Sequence, residues 1–311
     1  MKLIDIAILT NIKGLGSVNM IKILNYCKVQ NINSIYELQN IDLSTIVSQK
    51  LVETIESYLS RDIDNLYRNM ENIIDSYKED GVYCICINDD KYPKLLKEST
   101  NPPVILYYKG DIELLSTKCV AVIGTREHSS MGEILTAKTT QFLIQNNFTI
   151  VSGLATGIDE IAHKNALQNN GQTIAVLPTI DTIYPTSNKK LAKDILNSGG
   201  LLISENKPNT KFNSGLLVKR DRIQSGLAKA VFTIESSLKG GSMHASNDAV
   251  KLGRGLYTPD IYKLSFEYQA LNQVSGIKSL IDTNKSISYS KDNYDAILKE
   301  LNSTQQKDTL W

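Results

Sequence analysis

The 311-residue chain contains no run of 18 apolar residues, only three histidines, four cysteines and one tryptophan, and no low-complexity tract. The missing apolar run argues against a membrane-spanning helix. The N-terminus, MKLIDIAILTNIKGLG, carries Asp5 and no small-residue cleavage site, so it does not read as a secretory signal. These two absences predict a cytoplasmic protein with no membrane partner. Among the cysteines Cys27, Cys84, Cys86 and Cys119, the middle two alternate in the apolar run VYCICI and share one face of a strand. No second Cys or His pair stands at ligand spacing, so reduced core thiols are expected and no metal. Charge of one sign is also lacking: 34 Lys and Arg against 33 Asp and Glu leave a net charge of +1. That excludes a uniformly basic coat for nucleic acid and turns attention to local concentrations of charge. With 41% hydrophobic and 22% charged residues, the composition is that of a folded globular chain.

Two textures follow one another. Residues 1–78 read as successive amphipathic helices, IDIAILTNIKGLGSVNMIKILNYC being interrupted at Gly14-Leu15-Gly16. From Gly81 short β-rich runs alternate with helical stretches: VYCICI, VILYYKG, CVAVIG, FTIVSG, TIAVLP, GLLIS, AVFTIE and GRGLYTP. Such alternation predicts βαβ units and a mostly parallel sheet over residues 79–301. The segment DNYDAILKEL predicts a last helix, and residues 302–311 a polar, frayed tail.

Four strand-to-helix loops hold the residues that could carry chemistry. In the first, a buried strand runs into Gly124-Thr125-Arg126 and then a helix, where backbone N–H groups and an arginine fork can hold a phosphate. The second brings Ser152, Gly153 and Gly157, with Asp159 and His163 at i and i+4 on one helix face; an Asp–His pair orienting a pocket wall is favoured there over catalysis. The third, from Lys207 to Arg222, holds Lys207, Lys211, Lys219, Arg220 and Arg222 against the single acid Asp221, a local charge of +4. The fourth places Gly240, Gly241 and Ser242 after a strand and before a helix, a possible anion nest. Ligands of open α/β sheets bind at the carboxyl ends of the strands, so these loops are expected to converge. The dinucleotide pattern G-x-G-x-x-G is absent.

In order along the chain stand VAVIGTR (120–126), SGLATGIDEIAH (152–163), YPTSN (184–188), SE (204–205), KRDRIQSGLA (219–228), GGSMHAS (240–246) and GR (253–254). Together they resemble the DNA-processing protein A (DprA/Smf) family over about residues 85–301. The resemblance implies an extended Rossmann-like domain that binds single-stranded DNA. It also implies a role in protecting incoming strands during natural transformation and in helping to load a RecA-type recombinase, a homodimer, no cofactor and no catalytic reaction. By matched position Arg126, Arg220 and Arg222, with Lys219, would grip phosphate. Gly124, Thr125, Ser152, Gly153, Gly240, Gly241 and Ser242 would line the site, with Asp159, His163, Tyr184 and Asp221 in its wall and Tyr184 as a stacking surface. The N-terminal IKGLGSVNMIKILN is similar to half of a helix-hairpin-helix, of the helix-hairpin-helix or SAM-like kind; a plain helix–helix turn reads equally well.

The chain departs from the family pattern at specific positions. The family's R-N-R is Arg220-Asp221-Arg222 here, with a carboxylate between two phosphate grips. The glycine-rich turn before Y-P is LPTID, with Pro178 and no glycine. The matched region ends about where many members begin a winged-helix domain, so a member without one is expected. These departures leave two alternatives: a regulatory subunit, such as an antitoxin with a toxin partner or a phage-defence sensor of single strands, or a nucleotide-binding protein of the same fold. Nucleotide-cleaving relatives of this fold carry a glutamate acid/base at a position that is not acidic in the aligned GGSMHASNDA, which removes the proton-transfer group.

Overall fold

The computed structural model describes residues 1–303. Five helices come first: α1 (Leu3–Leu9), α2 (Ser17–Val29), α3 (Ile35–Leu38), α4 (Gln49–Leu59) and α5 (Ile63–Glu79). Asp5, buried in α1, ties three of them together. Its carboxylate accepts from the backbone N–H of Ile35 at 3.1 Å and from the hydroxyl of Tyr67. The Gly14-Leu15-Gly16 turn joins α1 to α2, with Gly14 at φ +87°, a conformation that costs glycine little.

The remaining chain builds a nine-stranded sheet. Its elements are β1 (Tyr83–Cys86), α6 (Lys94–Lys97), β2 (Ile105–Gly110), β3 (Cys119–Ile123), α7 (Ser130–Gln145), β4 (Thr149–Ser152), α8 (Ile158–Gln168), β5 (Thr173–Val176), α9 (Lys189–Asn197), β6 (Leu201–Ser204), α10 (Gly215–Leu227), β7 (Ala230–Thr233), α11 (Ser242–Lys251), β8 (Gly255–Pro259), α12 (Phe266–Gln269), α13 (Ser275–Asp282), β9 (Ile287–Tyr289) and α14 (Tyr294–Ser303). The order is β1-β2-β6-β5-β4-β3-β7-β8-β9. From β6 to β9 all pairs are parallel, and β1 and β2 add an antiparallel edge.

Strands β3 to β7 are buried along their whole length, as a parallel sheet covered on both faces requires. Alternation sorts their side chains. Val120 and Val122 face Ile158 and Ala162 of α8, together with Ile297 of α14. Ala121 and Ile123 join the opposite core with Ile223 and Leu227 of α10 and Ala245 and Ala249 of α11. The first crossover strand, β3, has β4 on one side and β7 on the other. The winding reverses there, at the place where open α/β sheets leave a crevice.

Eight strands are expected from the sequence and all eight form. The ninth, β9, pairs with β8 through Tyr257↔Ile287 and Pro259↔Tyr289. It is three residues long with only Tyr289 buried, too short and too polar to signal itself. The helix expected in DNYDAILKEL is α14, and it continues through Asn302 and Ser303. The tail expected at 302–311 therefore begins as helix, and residues 304–311 lie outside the described residues. No helix among the described residues is long and apolar enough to cross a membrane.

Candidate nucleic-acid interface

A cavity of about 500 Å³ opens at the carboxyl ends of β3 and β7. Gly124, Thr125, Arg126, Asp159, Ser214, Leu217, Arg220, Asp221, Gln224, Gly240, Gly241 and Ser242 are among its lining. Its volume falls within the range of small-ligand sites. A side cavity of about 130 Å³ shares Arg126, Ala155, Leu217 and Arg220 with it and adds Tyr184. The loops after β3 and β7 thus converge with α10, while the loop after β4 contributes Ala155 and the first turn of α8 contributes Asp159.

Close packing decides which residue can stand at each loop. A Cβ on Gly124 would fall 2.6 Å from Ile158 and 2.9 Å from the Glu235 carbonyl oxygen. The backbone N–H of Thr125 donates to that same carbonyl at 2.8 Å, and the Thr125 carbonyl accepts from Ile158 N–H. The Thr125 amide is therefore committed to the fold, and the residue offers the cleft its side chain. Arg126 is exposed at the mouth and has no hydrogen bond or ion pair among the described residues.

The N-terminus of α7, expected to hold a bound phosphate, is filled by the chain itself. Glu235, fully buried just past β7, accepts from the Ser129 N–H at 2.9 Å and the Ser129 hydroxyl at 2.5 Å. A Cβ on Gly132 would collide with its carboxylate at 2.3 Å. An internal carboxylate thus stands at the positive end of the helix dipole, while the Ser129 hydroxyl oxygen accepts from the Gly132 N–H at 3.0 Å. The sequence could not show this, because Glu235 and Ser129 are 106 residues apart.

The basic run around Arg220 is divided by helical phase. Arg220 is 4% exposed and lies against Gly153, where an added Cβ would be 1.2 Å from its Nη1. Its guanidinium faces Asp159 at 3.8 Å and Asp221 at 3.4 Å. Nε and Nη1 are buried without a hydrogen-bond partner. Arg222, expected beside the phosphate, turns the other way. Two of its nitrogens grip the Glu205 carboxylate at 2.9 and 2.5 Å, and Nε donates to the Asn101 carbonyl at 3.0 Å. Lys219 shares that outer face, its carbonyl accepting from Arg222 at 2.5 Å; neither residue lines the cavity. Residues three apart occupy one helix face, so this division was readable in the 3.6-residue period.

Ser152 and Gly153 also stand behind the cleft. The Ser152 hydroxyl is buried and donates to the Val122 carbonyl at 2.7 Å, while Gly153 backs the Arg220 guanidinium. Asp159 and His163 do not form the expected pair. His163 is fully buried with Nδ1 2.7 Å from the Thr173 hydroxyl, whose own proton goes to the Ile150 carbonyl. Nδ1 therefore carries the ring proton. Burial and the Arg220 charge push the His163 pKa down to about 3, so the ring is neutral. Burial raises the Asp159 carboxyl against the pull of Arg220. Burial likewise lifts Asp221 to about 6, opposed by Arg220.

Two further residues belong to this neighbourhood. Phe212, in the loop before α10, stacks on Tyr184 with centroids 4.1 Å apart and planes 22° apart, and each ring is 37% exposed. A flat aromatic surface thus stands beside the side cavity. Asn188 donates to the Leu154 carbonyl at 3.0 Å. Leu154 sits at φ +60°, unusual for a residue with a branched side chain, and Asn188 holds the loop after β4 in that shape.

A parallel sheet reversing at β3, with an arginine-lined cleft at that reversal, defines a Rossmann-like ligand-binding protein. The chain belongs to the DNA recombination-mediator protein A family, whose model matches residues 83–302. Smf of Borreliella burgdorferi is 32% identical over 229 residues, 71% of this chain and 72% of that protein. DprA of Bacillus subtilis is 33% identical over 201 residues, 64% of this chain and 67% of that one. DprA of Streptococcus pneumoniae is 41% identical over 172 residues, 55% and 60% of the two chains. The match with Smf of Synechocystis spans only 50% of that protein. Among solved structures, DprA of S. pneumoniae superimposes with a TM-score of 0.78 at 30% identity over 95% of this chain and 98% of that one. DprA of Helicobacter pylori, described for its single-stranded DNA binding mode, gives 0.60 at 32% identity over 67% and 93%.

Proposed function

We propose that the chain is a single-stranded DNA-binding recombination mediator whose strand runs over the cleft at the β3–β7 reversal. The observation that carries this is Arg126: an unpaired, exposed guanidinium at the mouth of a 500 Å³ cavity, beside the exposed Tyr184–Phe212 stack. Single strands are held by this combination, cation for phosphate and ring for base. Gly240, Gly241 and Ser242 bring the first turn of α11 to the same cleft, where its amides add positive potential. Assembly with a second copy and hand-over of the strand to a RecA-type recombinase complete the proposal, supported by membership of a family described as recombination mediators.

A salt titration with labelled oligonucleotides tests it. Each phosphate contact on a single strand contributes about −0.7 to the slope of log K against log salt. With Arg222 committed to Glu205, one or two arginine contacts remain, so the expected slope lies between about −0.7 and −1.4 per protomer. Single strands should bind better than duplex, and Arg126→Ala should weaken binding at least about tenfold at low salt while leaving the melting temperature unchanged. Binding that is independent of salt, or unaffected by Arg126→Ala, rules the proposal out.

A further inference from the structure

We infer that the floor of the cleft reads a nucleobase and that Asp221 makes it prefer guanine. This inference rests on the DNA-binding reading above and concerns what the strand inserts into the cavity. At the floor one guanidinium, that of Arg220, is faced by two carboxylates, Asp159 and Asp221, all three lining the cavity. A phosphate brought there meets two carboxylates against one guanidinium, whereas at the mouth it meets Arg126, which no carboxylate pairs among the described residues although Glu127 also lines the cavity. The phosphate therefore belongs at the mouth, and the floor suits an uncharged group that donates hydrogen bonds.

On the Asp221–Gln224 side the floor presents unpaired acceptors, next to the two unpaired donors of Arg220, Nε and Nη1. Asp221 Oδ1 accepts from Gln224 Nε2 at 3.1 Å and faces Arg220 Nε at 3.4 Å. Oδ2 has no partner among the described residues, on a side chain still 14% exposed. Because the Gln224 amide nitrogen is fixed on Asp221, its Oε1 points away; it too is without a partner, on a residue 2% exposed that also lines the cavity. A buried acceptor left unpaired is costly, so a donor-rich ligand gains there.

Of the four bases, guanine alone presents two adjacent donors, N1–H and N2–H, on its pairing edge. Cytosine and adenine present one amine beside a ring acceptor, and thymine one imide N–H between two carbonyls that a carboxylate repels. Leu217 and Ala245 give the cavity apolar wall for the ring. The family pattern has asparagine in place of Asp221, so Asp221→Asn is both isosteric and a return to that pattern.

The test measures fluorescence anisotropy of equal-length single strands of alternating thymine–guanine, thymine–adenine and thymine–cytosine and of thymine alone, at pH 7.5. Wild type is expected to bind the guanine strand about tenfold more tightly than the thymine strand, the discrimination a good base contact provides. Asp221→Asn, its folding verified by thermal melting, is expected to level the series to within about twofold. Equal wild-type affinities for all four strands overturn the inference and leave the DNA-binding reading standing. A guanine preference that survives in Asp221→Asn also overturns it. Failure to bind any strand overturns both.

Discussion

Three arginines that look alike in the sequence have three environments, and a prediction follows from the acid that separates two of them. Arg126 is solvent-facing, Arg222 is bound to Glu205, and Arg220 is buried between carboxylates. Asp221 titrates near 6 in the fold, against about 3.9 in an unfolded chain. The folded state therefore holds this proton more tightly than the unfolded one. Stability contributed by the protonated form is complete below about pH 3.9 and is lost as pH rises through about 6. Asp221→Asn, permanently neutral, should thus be more stable than wild type at pH 7.5 by about 1–2 kcal/mol, with the difference vanishing near pH 4. The groups facing Asp221 are Arg220, Asp159, His244 and Arg126, and all are retained in the variant. Urea denaturation at the two pH values checks it; equal stability at both means that burial does not disfavour the charge.

At the level of elements, much of the site was legible because strand ends declare themselves. The apolar run CVAVI closing on Gly124, and AVFT leading to Gly240 and Gly241, placed two of the converging loops correctly. Partners far apart in sequence were not legible: Glu235 on the α7 N-terminus, Phe212 on Tyr184, Asn188 on the Leu154 carbonyl. Each is a contact between loops, set by the sheet order and not by any local period. Arg222 is the instructive case, since its residue type suggested a phosphate grip while its helical phase points it at the end of β6. Its fork on Glu205 and its bond to Asn101 fasten α10 to β6 and to the segment before β2. Arg222→Ala leaves a carboxylate 17% exposed and unpaired, which should cost about 2 kcal/mol after allowance for its partial exposure. The expected signature is a lower denaturation midpoint with an unchanged salt slope for DNA. A shallower slope by about 0.7 would instead place Arg222 on phosphate.

For the whole molecule, the change of texture near residue 80 marked where helices give way to strands, yet the packing across that seam is continuous. Ile6, Leu9 and Met20 of the N-terminal helices belong to the same buried cluster as Ile85, Leu106 and Ile203 of the sheet. Polar contacts reinforce it: the Ser17 hydroxyl donates to Asn101 at 2.8 Å, and Lys207 donates to Asn11 at 3.0 Å. The Gly14–Gly16 turn thus lies against the same segment that Arg222 holds, which links the helical part to α10 through Asn101. Sequence periodicity gives each helix its apolar face but not the surface that covers it, so it does not reveal this continuity. Elements sharing one core lose it together, and separating them would expose apolar surface at about 25 cal/mol per Å². Thermal unfolding of residues 1–303 should therefore be one transition, with calorimetric and van't Hoff enthalpies agreeing. Near-UV signals from the tyrosines of both parts, Tyr67 in α5 and Tyr257 in β8, should disappear at the same temperature. Two resolved transitions would mean that the helical part and the sheet are energetically independent, and the chain of contacts from Ser17 through Asn101 to Arg222 could then transmit nothing to the cleft.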